Sequence, residues 1–447
     1  MAVAARTGLL AASGALAALA LALALAGPLQ SGPYAHLLPF ALLALGAIVA
    51  GALAAPLALF TCGFALLAVV RTEPAPVDVV FAVLMLSTAA SGRVRPRVPH
   101  LVGIPLALFA VVSVLSAVNA LDVTRAIRYE FVTLYLILFA VWLTWVYRDA
   151  VATRLAIFAF LTVSLASAIL AMLALYAGLP GGDALTYASS RAVVLFKDPN
   201  VYSAFLVPAA AIVLEELGRP RLLGWRRSYL VATFVVLAAG VVIGFSRAAW
   251  LNLAIAATTI LVVTAFRRGG MRVAGRAAAG LVVAGVAAFA LLAATGSLGF
   301  LQERSRLETY DQQRFGAQRS AFGAITDHVL GHGPGQVEGS LDISTHSLYA
   351  RAAFEHGLPG LLLIVLVVAA TLYCAAVLVR RDADVHGIGS AALLGIWLGL
   401  IANSIFIDTI HWRHLYVVAA LIWFGYATLR PSPAAGPGTA RARAAPR

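Results

Sequence analysis

The chain has 447 residues, of which 62% are hydrophobic and 11% charged, against about 45–50% and about 25% in an ordinary soluble domain. Apolar blocks of roughly 15–22 residues, the length that crosses a hydrocarbon core, recur from Thr7 to Leu429, which excludes a soluble enzyme held by one anchor. Lys and Arg outnumber Asp and Glu by 32 to 19, yet the arginines sit in short loops that alternate along the chain, so the excess reads as membrane topology and not as nucleic-acid binding.

In chain order, helical spans are expected near 7–27, 36–53, 54–70, 79–92, 101–120, 131–147 and 155–178, then 201–217, 230–246, 249–266, 277–296, 357–379, 387–408 and 415–430. The fold class is an all-α polytopic membrane protein with about 12–14 transmembrane helices. The span at 7–27 follows Arg6 and reads as a retained helix and not a cleaved leader. The division of 36–70 rests on Gly51 and Pro56, and 79–92 is short. Cys62 and Cys374 lie inside apolar spans and read as small hydrophobes; neither a disulfide framework nor a metal-ligand spacing is present in the sequence.

The basic segments hold Arg6, Arg93/Arg95/Arg97, Arg148/Arg154, Arg219/Arg221/Arg226/Arg227, Arg267/Arg268/Arg272/Arg276, Arg380/Arg381 and the tail. By the positive-inside rule they are cytoplasmic. That orientation puts Leu179–Asn200, the turn at Ser246–Arg247 and the segment Ser297–Ala352 on the outer face. The chain thus divides into N-terminal transmembrane helices (1–178), central transmembrane helices with Arg-bearing outer turns (179–296), one large outer loop region (297–352), C-terminal transmembrane helices (353–430) and a cytoplasmic tail (431–447) whose Pro/Ala/Arg composition reads as disordered.

Three constellations could carry chemistry. The first outer segment ends Arg191-Ala-Val-Val-Leu-Phe-Lys-Asp-Pro-Asn200 before an apolar run, so Asp198 or Asn200 reads as a helix cap; capping leaves Arg191 and Lys197 unexplained. The second is Gly244-Phe-Ser-Arg-Ala-Ala-Trp250, where Arg247 either snorkels to the interface or faces a polar cavity or an anion. The third lies in the long segment, which balances Arg304, Arg306, Arg314, Arg319 and Arg351 with six acids. It carries Gly331-His-Gly-Pro-Gly335, a tight turn that would allow close approach to a ligand. It and the start of the next helix also hold His328, His332, His346 and His356. Each of these is by default a packed or capping residue; His346 stands out because it falls just before the chain re-enters the membrane. Asp408, beside His411, Trp412 and Arg413, marks the outer end of a later span.

Outer-face arginines with a border histidine fit a defined chemistry. A sugar leaving a lipid diphosphate deposits negative charge there, which arginine forks can bind without a metal. The attacking hydroxyl needs a base titrating near neutrality, as histidine does. No cofactor is implied.

The ordered set Arg-x6-Asp-Pro-Asn, Phe-Ser-Arg-Ala-Ala-Trp, Arg-x2-Phe (Arg319 to Phe322), Asp-His-x2-Gly-x-Gly-Pro-Gly and His-Ser-Leu-Tyr resembles the O-antigen ligase and polymerase superfamily of bacterial envelopes. The motifs lie in roughly 185–360; Val329 departs from a proline frequent after Asp/Glu-His. The resemblance implies a GT-C-type inverting glycosyltransferase of the inner membrane, acting at its periplasmic face on an undecaprenyl-diphosphate-linked O-antigen donor. It implies His346 as catalytic base and Arg191 and Arg247 as donor-diphosphate ligands, with support from Lys197, Asp198, Asn200, Arg314, Arg319 and Tyr349, and no metal. Within the family the single late outer loop favours a ligase with lipid A–core as acceptor, ahead of an O-antigen polymerase and a protein O-oligosaccharyltransferase. A transporter would place ionisable residues at the midplane and repeat its halves, and the sequence shows neither.

Overall fold

Proline sets several helix starts, because its fixed φ is already helical and its missing N–H would be unsatisfied there anyway. Pro56, Pro76 and Pro199 occupy such first-turn positions. The computed structural model describes residues 38–429 except 73, 189, 268–269, 295, 297–298, 300–308 and 342. The expected span at 7–27, Arg6, Arg268, Arg304 and Arg306, the acids at 303, 308 and 342, and the tail 431–447 lie outside the described residues.

The helices are α1 (Leu38–Ala54), α2 (Pro56–Leu66), α3 (Pro76–Ala90), α4 (His100–Ser116), α5 (Val123–Val146), α6 (Ala150–Tyr176), α7 (Pro199–Gly218) and α8 (Arg227–Ile243). They continue with α9 (Arg247–Phe266), α10 (Gly270–Ala294), α11 (Thr309–Gly323), the single turn α12 (Val337–Ser340), α13 (Leu348–Arg380), α14 (Ser390–Phe406) and α15 (Arg413–Thr428). Two antiparallel pairs of two-residue strands, β1 (Thr186–Tyr187) with β2 (Arg191–Ala192) and β3 (Asp384–Val385) with β4 (Ile388–Gly389), are the sheets among these residues. The protein is therefore all-α. Among the described residues seven helices are long and apolar enough to cross a membrane and five shorter ones are apolar; it is a multi-pass membrane protein.

Helix α7 is the axis of the bundle. Its apolar window is 89% buried while those of the other six long helices are half buried or less, so α7 is wrapped by protein and the others face lipid on one side. Helices α9 and α14 approach closely through small residues: a Cβ on Gly395 would lie 2.7 Å from Ala256 O, and one on Gly399 2.1 Å from Asn252 Oδ1. Without a hydrophobic drive between helices in lipid, such packing supplies much of the association.

One end of the bundle is an arginine–carboxylate cluster. Arg219 forks onto both oxygens of Asp382 (2.8 and 3.0 Å), and Arg267 reaches the same carboxylate at 3.1 Å. Arg221 pairs with Asp384 at 3.4 Å, and Glu216 accepts the backbone N–H groups of Arg221, Leu222 and Leu223. The ends of α7, α9 and α13 thus meet where the sequence groups its basic loops. The other end of α7, roughly 30 Å away at 1.5 Å per residue, carries the candidate site.

Helix α13 begins earlier than the hydropathy suggests. Its first turns run from the Ser347 cap through Arg351 and Glu355, then break at Gly357 (φ 63°, ψ −161°). The break accommodates the glycine run of the long segment: His332 N and Gly333 N donate to Phe354 O and Glu355 O, and Leu358 N donates to Val329 O. A Cβ on Gly357 would stand 1.9 Å from Val329 O.

Candidate active site

The segment before α7 is held by backbone pairing. Tyr187 lies opposite Arg191 in the β1–β2 pair, and Val70 N donates to Leu195 O. Of the two possible caps, Asp198 acts: it accepts from Asn200 N (2.7 Å) and Val201 N (3.2 Å). Arg191 reaches across to the α8–α9 turn, where carbonyls at a helix end lack intrahelical donors. Its Nε donates to Gly244 O (3.0 Å), and one Nη donates to Phe245 O (3.2 Å) and Asn200 Oδ1 (3.4 Å).

That turn lies against the start of α7. A Cβ on Gly244 would be 1.9 Å from Ser203 Oγ and 3.3 Å from Pro199 O. Ser246 caps α9, and Arg247 opens it. The Arg247 guanidinium meets Asp311 Oδ1 at 2.5 Å. Asp311 belongs to α11, whose inner face continues through Arg314, 3.9 Å from Asp311 and hydrogen-bonded to Phe406 O, to Gln318, which donates to Thr345 O at 3.0 Å. Helix α11 therefore holds both the arginine at the head of α9 and the residue preceding His346.

These segments enclose one cavity of about 490 Å³. Arg191, Lys197, Arg247 and Arg314 line it with Asp198, Asn200 and Asp311, and His346 lines it too. His346 has a left-handed φ of 45°, as do Val194 (55°) and Phe245 (47°) within the other two constellations. Left-handed backbone at a residue with a Cβ costs of order 1–3 kcal/mol, and such strain collects at functional sites. Burial lowers the His346 pKa below its ordinary value, and Arg314 and Arg351 push the same way against Asp198 and Asp408. The ring is thus kept neutral, able to accept a proton.

Two of the sequence candidates are not brought to this cavity. Arg319 is exposed on the flank of α11. Tyr349 lines a separate apolar cavity of about 60 Å³ between α13 and α14, its hydroxyl 3.5 Å from Ile401 O. The remaining histidines of the long segment and the α13 start are engaged elsewhere: His332 stacks on Phe354 at 4.2 Å and meets the exposed His328, while His356 Nδ1 sits 3.0 Å from Ser116 Oγ. None of the glycines lines the cavity: Gly331 approaches the backbone of α13, Gly333 the chain at Ser116 and Ala120, and Gly335 the Tyr129 ring.

Sequence reasoning passed over Asp311, although its spacing of three from Arg314 puts both on one helix face. It also passed over Arg351, 3% exposed, which joins Glu338, Glu355 (2.6 Å) and Asp408 (2.6 Å). Burial pushes the Asp408 carboxyl up, but Arg351 and His411 outweigh it and hold it below its usual value. Arg351 and Glu355 stand at i,i+4, a legible pair; Glu338 and Asp408 come from elements no local pattern connects.

Residues 232–365 match the family model described as O-antigen ligase. The match supports membership of the O-antigen ligase superfamily. This superfamily match contains Arg247, Asp311, Arg314, His346 and Arg351 and stops short of Arg191 and Asp408 on either side. Among curated proteins none matches the chain. The match supports a membrane glycosyltransferase of the O-antigen ligase or polymerase kind, with a polysaccharide or lipid-linked substrate in general.

Proposed function

We propose that the protein is an O-antigen ligase that moves O-antigen from undecaprenyl diphosphate to lipid A–core at the periplasmic face of the inner membrane. The observation that carries this reading is the cavity in which Arg191, Lys197, Arg247 and Arg314, from three separate segments, meet the half-buried His346. Within it Arg191 and Arg247 bind the donor diphosphate. Asp311 is the anion that engages Arg247, and a phosphate oxygen takes its place when donor binds.

The acceptor hydroxyl oxygen attacks the anomeric carbon from the face opposite the diphosphate. The carbon–oxygen bond to the diphosphate breaks, its electron pair stays with the leaving group, and the hydroxyl proton passes to His346. Configuration inverts. The charge that grows on the diphosphate strengthens its hydrogen bonds to the arginines, which lowers the barrier without a metal. The preference for ligation over polymerisation rests on the single hydrophilic segment late in the chain.

Deleting the gene and examining surface polysaccharide tests the reading. Loss of all O-antigen with free core remaining is the expected result. A core bearing one repeat unit would make the protein a polymerase, and unchanged polysaccharide would overturn both.

A further inference from the structure

The cavity has a second wall of different chemistry, lined by Tyr129, Glu338, Asp408, His411, Trp412 and His414. Charge changes sign between the walls. On the first, Arg191, Lys197, Arg247 and Arg314 outnumber Asp198 and Asp311. On the second, Arg351 is surrounded by Glu338, Glu355 and Asp408, and Arg413 is matched one for one by Asp78, which it grips at 2.7 and 2.5 Å. Glu355 is buried behind Arg351 and does not line the cavity, but without it Glu338, Asp408 and Asp78 still outnumber Arg351 and Arg413 by one.

The second wall is also aromatic. Tyr129 and His411 pack with ring centres 5.5 Å apart, and Trp412 and His414 5.1 Å apart. His414 is 3% exposed, and its Nε2 has no hydrogen-bond partner within the protein. A buried polar atom left so is uncommon and asks for a ligand or water. A neutral ring nitrogen donates or accepts according to tautomer, and a hydroxyl does either.

We propose that this wall is the acceptor subsite, built for an uncharged, hydroxyl-rich sugar and hostile to one bearing phosphate or carboxylate at the reacting unit. The inference rests on the glycosyl-transfer reading above. Carboxylates paired with Arg351 keep lone pairs for sugar hydroxyls, rings cover the apolar face of a sugar, and a net negative wall repels an anionic one. Donor diphosphate and acceptor are thereby sorted by charge to opposite sides of the cavity.

The test uses the full chain in lipid nanodiscs with a polyprenyl-diphosphate-linked glycan and two acceptor glycolipids that differ in one group. One ends in a neutral hexose and the other in the matching uronic acid. Wild type should favour the neutral acceptor by about tenfold or more in kcat/KM. Glu338→Gln, at a side chain one-third exposed, should narrow that preference several-fold through acceptor KM with donor KM unchanged. Tyr129→Ala should raise acceptor KM for both, and His411→Ala replaces either variant that fails to fold. Equal use of the two acceptors by wild type, or variants that shift donor KM alone, would overturn the subsite. Donor-free binding of the neutral acceptor, read from tryptophan fluorescence, separates the two claims. Binding weakened by Glu338→Gln in a protein that transfers nothing would sink the transfer reading and leave the subsite standing.

Discussion

Arg191 and Arg247 face the same cavity but are held differently, and lysine at each position distinguishes their roles. Arg191 spreads its donors over Gly244 O, Phe245 O and Asn200, a geometry a point charge cannot reproduce. Arg191→Lys should therefore lower both transfer and the melting temperature. Arg247 pairs with the Asp311 carboxylate, a contact a lysine ammonium can also make, so Arg247→Lys should lower transfer at least tenfold, about 1.4 kcal/mol, with a smaller loss of melting temperature than Arg191→Lys. Equal melting losses in the two variants would contradict this division. His346→Ala should cut turnover by roughly 10²–10⁴-fold, the usual share of a general base, while donor binding survives. The pH profile follows from the direction of the His346 shift. A base works when neutral, and a lowered pKa keeps it neutral further into acid, so activity should fall only below the ordinary histidine range. Arg314→Gln removes a cation that disfavours protonation, which should move that acid limb to higher pH. A limb that stays put would detach His346 from the rate-limiting proton transfer.

Elements position these side chains through their ends. The cap at Asp198, the α8–α9 turn and the Ser347 cap all converge near the cavity, and the break in α13 lets the long segment dock. Gly357→Ala would force a Cβ into Val329 O from a left-handed backbone, costing about 1–3 kcal/mol and loosening the segment that leads to His346. Thermal unfolding in detergent should show the loss, and an unchanged melting temperature would mean the dock is not needed. At the other end, the hydrogen bond from Arg219 holds the Asp382 carboxyl below its usual value, with further help from Arg267. Its folded pKa is depressed, so its stabilising effect is present above the unfolded value and fades as pH falls through the folded one. Acidification below about pH 4 should loosen this end.

The whole molecule has a polarity, with the arginine–carboxylate cluster at one end and the cavity at the other. If the basic loops are cytoplasmic, single cysteines placed in 179–200 and in 309–345 should both react with an impermeant reagent in intact spheroplasts; labelling only after lysis would reverse the orientation. Transfer should survive EDTA, because arginines lining the donor wall supply the charge that a divalent ion would bring. Loss with EDTA and rescue by magnesium or manganese would overturn that account.

The sequence by itself determined the class of the protein. Composition and the length of apolar runs are averages over many residues, and lipid allows few alternatives to a helix bundle because every backbone group must be satisfied internally. It also singled out Arg191, Arg247 and His346, since charge beside a membrane span is costly enough to stand out. What it could not decide was partnership. Arg319 and Arg314 are alike in sequence, but only the helix face turned inward brings Arg314 to the cavity. The histidines of the long segment and the α13 start look equivalent until three of them are packed against Phe354, Phe109 and one another. The glycine run reads as a ligand cradle, yet its close approaches are to protein, with Gly331 against the break in α13 and Gly335 against the Tyr129 ring. Asp311, Glu338 and Asp408 acquire meaning from contacts with Arg247 and Arg351 that join elements far apart in the chain, and such contacts arise from packing, which no local pattern encodes.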